Sequence, residues 1–138
     1  MRLTLLLAVL VALAVPASAQ HPALAQVAAQ ASDAVRRHAA DQLVAGSDRV
    51  RVLVPGSEPS AAVGRAQASA MLAAWLAPAQ ELGAEVRAAR ELTEERGYVE
   101  LDRRYQVAGS RVERRQTVFL AYQRVDGRWV LTELRAVD

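Results

Sequence analysis

The chain has 138 residues, with 17 basic side chains, all Arg, against 15 acidic ones, and 52% of its residues are hydrophobic. Cysteine is absent, which excludes a disulfide framework, a thiolate nucleophile and a thiolate metal site. Basic and acidic residues are interspersed, and the pairs Arg103-Arg104 and Arg114-Arg115 alternate faces on a strand, so no stripe exists for a nucleic-acid backbone.

The first element is a targeting segment. Met1-Arg2 is a short basic start, Leu3 to Val15 is aliphatic apart from Thr4, and Ala17-Ser18-Ala19 satisfies the small-x-small cleavage rule before Gln20. The apolar run is shorter than the roughly 20 residues that span a bilayer, so residues 1–19 are expected to be a cleaved signal peptide and no membrane span is expected. Export would carry residues 20–138, a single domain, to the periplasm or outside the cell, with an N-terminal Gln20 that can cyclise.

Residues 23–45 repeat Leu24, Val27, Ala28, Ala31, Val35, Ala39 and Leu43 at helical spacing, and Gly46-Ser47 ends the pattern. Ser32-Asp33 can cap a second helix inside this stretch, so one bent helix and two short ones both fit. His38 falls beside the stripe, where a half-buried core histidine is expected, because spacing assigns it no acidic partner. Arg49 to Val54 alternates as a short strand and stops at Pro55-Gly56. A helix follows from about Ala61 to Ala77, with Ser60 as N-cap, Pro78 as the stop, and a stripe of Val63, Ala66, Ala70, Leu72, Ala73 and Leu76 flanked by Met71 and Trp75. Gly83 to Leu92 is a second strand, with Thr93 to Gly97 as the turn out of it.

The last third is a meander of three antiparallel strands. Asp126-Gly127 is a two-residue hairpin signal that pairs Arg124 with Trp129, Tyr122 with Leu131, Leu120 with Glu133 and Val118 with Arg135. Gly109-Ser110 is a weaker one that pairs Tyr105 with Arg114, Arg103 with Gln116, Leu101 with Val118 and Val99 with Leu120. Side chains alternate across a sheet, so these registers put Arg103, Tyr105, Gln116, Tyr122, Trp129, Glu133 and Arg135 on the apolar face that receives the helices. Phe119, Val130 and Leu134 fall on the opposite face, as a patch suited to a homodimer contact.

A lone buried charge costs several kcal/mol, so the inward charges must pair or open onto water. Either Arg135 and Glu133 form a structural network at the sheet edge, or the cluster is a pocket mouth for a small polar or anionic ligand, with Arg103 and Arg135 as donors. A bulge in any strand would break this assignment. No metal-spaced carboxylate or histidine set, Ser elbow or glycine-rich phosphate loop is present, so no catalytic residue, metal or cofactor is assigned.

Helices first and strands after make an α+β fold. The order helix, strand, helix and long meander, with the ending Val118-Phe119-Leu120-Ala121-Tyr122-Gln123-Arg124-Val125-Asp126-Gly127-Arg128-Trp129-Val130-Leu131, resembles the nuclear transport factor 2-like (cystatin-like cone) superfamily. Val52 to Leu76 and Thr132-Glu133-Leu134-Arg135 are similar to a family of short exported bacterial proteins of unknown function. The resemblance implies N-terminal helices packed on a curved antiparallel sheet, a cavity between them, and dimerisation through the outer sheet face. The superfamily includes isomerases, dehydratases, polyketide cyclases and non-catalytic binding domains, but no tyrosine and carboxylate pair here matches the isomerase pattern. The expectation is an exported, non-catalytic domain that binds a small ligand or a protein partner. Its alternatives are a small cavity enzyme of isomerase, lyase or hydrolase type and a dimerisation or assembly module.

Overall fold

The computed structural model describes residues 21–58 and 61–138. The expected leader, its Ala19-Gln20 junction and the Ser60 cap lie outside that range.

Helix α1 spans Leu24–Arg37 and turns Leu24, Ala28, Ala31 and Val35 inward, one apolar residue per turn. It ends where His38 takes a left-handed conformation (φ 57°) and its N–H reaches back to the Ala34 and Val35 carbonyls. A single turn, α2 (Ala40–Leu43), follows. The break therefore falls at His38 and not at Ser32-Asp33: Ser32 is buried in mid-helix and donates its hydroxyl to the Ala84 carbonyl. Asp33 pairs with Arg36 and Arg37 one turn on.

Strand β1 (Arg49–Leu53) buries Val50 and Val52, and Val63–Gly64 pairs back on it as the two-residue strand β2. This pairing delays the next helix, α3, to Arg65–Leu76, with Gly64 at its cap, where 61–77 was expected. Its buried residues are Ala68, Leu72 and Leu76, whereas Ala66, Ala70 and Ala73 of the expected stripe face out.

Strand β3 runs Ala79–Glu91, starting four residues before the expected Gly83, and is followed by β4 (Arg96–Val107), β5 (Arg114–Val125) and β6 (Arg128–Val137). The sheet order is β2-β1-β6-β5-β4-β3. Every neighbouring pair is antiparallel except β1 with β6, which is parallel, so the sheet is mixed. The helices cover one face of it, and Val99, Leu101, Val118, Leu120 and Leu131 close the core beneath them with no exposure.

The β4–β5 register is as the sequence implies, from Val99 opposite Leu120 to Tyr105 opposite Arg114. Val107 and Val112 do not pair, and 108–113 form a longer loop than a two-residue turn. The β5–β6 hairpin starts in the expected register, with Arg124 opposite Trp129 and Tyr122 opposite Leu131. Thr132 then has no partner, and the next pairs are Ala121 with Glu133, Leu120 with Leu134 and Phe119 with Arg135. This bulge reverses the faces of everything beyond it. Glu133 and Arg135 lie on the outer side, while Leu134 and Ala136 are buried. The expected inward positions of Glu133 and Arg135, and the place of Leu134 in an outer patch, are corrected accordingly. The Thr132 hydroxyl donates to the Ala121 carbonyl (3.1 Å) at the bulge.

Candidate functional site

The seven residues expected to share a pocket occupy three separate places. Arg103, Tyr105 and Gln116 stay together inside the sheet. Arg103 is 1% exposed, so its charge requires a partner within the core. That partner is Glu81 of β3, whose side chain is also buried. Arg103 Nε lies 2.9 and 3.1 Å from the two carboxylate oxygens, and its Nη2 closes the second arm of the fork. Arg103 Nη1 donates to Gln116 Oε1 (2.8 Å), and Gln116 Nε2 donates to Asp138 Oδ1 (2.9 Å).

The guanidinium also sits over the rings of Trp75 (4.6 Å) and Tyr105 (4.3 Å). His38 Nε2 is 3.1 Å from Glu81 Oε1, so a chain of contacts runs from the end of α1 through β3, β4 and β5 to Asp138. The half-buried histidine thus has an acidic partner that spacing did not assign. Arg103, Tyr105, Gln116 and Trp75 border a cavity of about 170 Å³. It is below the roughly 300 Å³ at which small-molecule sites begin.

Tyr122 and Trp129 belong to a different cavity, at the other end of the inner face. A cleft of about 650 Å³ opens between the α1–α2 segment and strands β5 and β6. Its apolar walls include Val27, Leu43, Trp129 and Leu131, and its polar groups are His21, Gln30, Gln42, Tyr122 and Arg128. Tyr122 is 5% exposed, and its hydroxyl, which has no hydrogen-bond partner among the described residues, is open to the cleft. Burial pushes its pKa well above the ordinary tyrosine value, so the phenol stays protonated. Trp129 is held from behind by Arg124, whose guanidinium lies 4.3 Å from the ring centre and pairs with Glu91 at 3.3 Å.

Glu133 and Arg135 border a third hollow, of about 390 Å³, on the outer face with Tyr98 and Phe119. Arg135 stacks on Phe119 at 5.0 Å, which leaves Phe119 and Val130, without Leu134, on that side.

Sequence reasoning missed Glu81, because Pro78-Ala79-Gln80-Glu81 carries no strand signal and β3 was expected to begin at Gly83. It also missed His21, Gln30, Gln42 and Arg128, which are polar groups on four separate segments with no shared period.

No protein-family model and no curated protein matches the chain. Solved structures do. A DUF4783 family protein from Bacteroides uniformis aligns with a TM-score of 0.65 at 16% identity, covering 80% of this chain and 96% of that one. A domain of unknown function with a cystatin-like fold from Nostoc punctiforme gives 0.64 at 15% identity, over 82% and 75%. A ketosteroid isomerase-like protein from Erwinia carotovora atroseptica gives 0.64 at 14%, over 82% and 92%. Likeness at such identities shows the fold, a nuclear transport factor 2-like cone, and leaves function to the residues.

Proposed function

We propose that this cone-fold chain is an exported, non-catalytic domain that binds a small ligand in the cleft between the α1–α2 segment and strands β5 and β6. The observation that carries this reading is the Tyr122 hydroxyl, a polar group in an apolar wall with no hydrogen-bond partner among the described residues. The hydroxyl oxygen is open to the cleft, so a ligand atom can take the place of water as its hydrogen-bond partner. The cleft volume, about 650 Å³, also falls in the range of small-molecule sites.

Absence of catalysis is supported by what surrounds the ionisable groups. The His38–Glu81 contact is an imidazole and a carboxylate in reach of each other, but Glu81 is gripped by Arg103 and neither residue lines the cleft. Tyr122, kept neutral by burial, serves as a hydrogen-bonding group and not as a base. The outer face, where Phe119 lines the hollow, is where a second copy would seat. Light scattering that gives a monomer at high concentration removes that contact.

The ligand site is tested with the neutral dye 1-N-phenylnaphthylamine. Dye fluorescence is expected to rise on binding, with energy transfer from Trp129. Gln30→Phe and Ala45→Phe, both on exposed rim positions, are expected to reduce it. Unchanged binding in both variants would show that the dye, and by extension the ligand, sits elsewhere.

A further inference from the structure

The polar groups around the cleft have an asymmetry of charge. Its lining includes one guanidinium, Arg128, one imidazole, His21, two neutral amides and a phenol, but no Asp or Glu. Arg128 makes no salt bridge among the described residues, unlike Arg124 on the adjoining strand, which is tied to Glu91. Asp126, two residues before Arg128 in the hairpin turn, does not line the cleft. The His21 ring lies beside Gly127 at the rim, where an added Cβ would come within 2.6 Å of the imidazole. Beneath Arg128 and His21 the walls are Val27, Leu43, Leu131 and the Trp129 ring.

Resting on the ligand-binding reading above, we infer that the cleft takes a monocarboxylate with an apolar body, its carboxylate at Arg128 and His21 and its body against Trp129 and Leu131. A planar guanidinium offers two parallel N–H groups, which match a carboxylate. One such fork balances a single negative charge, whereas a phosphate dianion would leave charge uncompensated in a partly closed site. The amides of Gln30 and Gln42 and the Tyr122 hydroxyl add neutral donors along the path from rim to floor.

The test uses protein purified from an export-competent host, titrated with decanoate, 4-phenylbutyrate, decanol and decyltrimethylammonium, and followed by calorimetry and by the Trp129 indole N–H signal in NMR. Both carboxylates are expected to bind and to shift that signal, and the aliphatic and aryl acids report which body the walls prefer. Arg128→Gln, at an exposed position, is expected to weaken decanoate about tenfold or more, the size of one charge-assisted contact, and to leave decanol unchanged. If decanol or the ammonium binds as tightly as decanoate, or Arg128→Gln leaves decanoate binding intact, the carboxylate inference fails while the cleft reading stands. If none of the four moves the Trp129 signal, the cleft reading fails and the inference goes with it.

Discussion

Glu81 and Arg103, from the edge strand β3 and its neighbour β4, form a two-armed ion pair inside the sheet, with the arginine only 1% exposed. The pair lies on the inner face of the sheet, and it links the end of α1 to Asp138 through His38 and Gln116. Its role is architectural, because each charge satisfies the other and His38 and Gln116 occupy further positions on the two groups.

Breaking one half of the pair should therefore cost more than removing both. Arg103→Met leaves the Glu81 carboxylate buried without its cation and should lower stability by about 3–5 kcal/mol. The double variant Glu81→Leu with Arg103→Met should recover most of that loss. Urea unfolding of the three proteins checks this, and equal losses in the single and double variants would contradict it.

Thr132 is the unpaired residue of the β5–β6 register. Deleting it removes the extra residue and leaves Ala121 opposite Glu133, Leu120 opposite Leu134 and Phe119 opposite Arg135, so Leu134 stays buried and both charges stay outside. The deletion variant should therefore still unfold cooperatively, losing one hydrogen bond to Ala121 and the local bend at a cost of about 1 kcal/mol. Thr132→Ala keeps the extra residue, loses one hydrogen bond to Ala121, and should cost about 1 kcal/mol. Circular dichroism on heating checks both variants, and loss of a cooperative transition in the deletion variant would contradict this register.

Tyr122 makes stability sensitive to alkali. Burial raises its folded-state pKa above the unfolded value of about 10, so the folded state keeps a proton that the unfolded chain releases. The unfolded state binds fewer protons above that value, and stability must fall as pH rises past about 10. Tyr122→Phe removes this contribution, and its unfolding midpoint should decline less between neutral and strongly alkaline pH than that of the parent chain.

Gly97 sits where the sheet meets α1. A Cβ there would come within 2.8 Å of Leu24 and 3.3 Å of Trp129, in a part of the core with little slack. Gly97→Ala should cost about 1–3 kcal/mol through overpacking. Thermal unfolding measures it. Because Trp129 also lines the cleft, dye binding should weaken in the same variant.

Sequence and structure part at Thr132. Up to Leu131, strand parity and the Asp126-Gly127 turn place Arg103, Tyr105, Gln116, Tyr122 and Trp129 on the inner face, where they are found. Glu133 and Arg135 lie outside because one unpaired residue inverts a period of two, and Thr132-Glu133-Leu134-Arg135 carries no local mark of the bulge. Glu81 is not legible in the sequence for a related reason. The start of β3 is held by its pairing with β4, not by its own β propensity.

Local chemistry alone settles the order of helices and strands, the helix stop at Pro78, the hairpin and the division of the meander into two faces, since each depends on turn residues and on hydrophobic period. Tertiary structure decides how many places the polar residues form, which acid meets Arg103 and His38, and where a cleft remains, because these depend on contacts between segments far apart in the chain. The parallel pairing of β1 with β6 is of the same kind. It faces Leu134 with Val52 and sets the end of β6 in its bulged register.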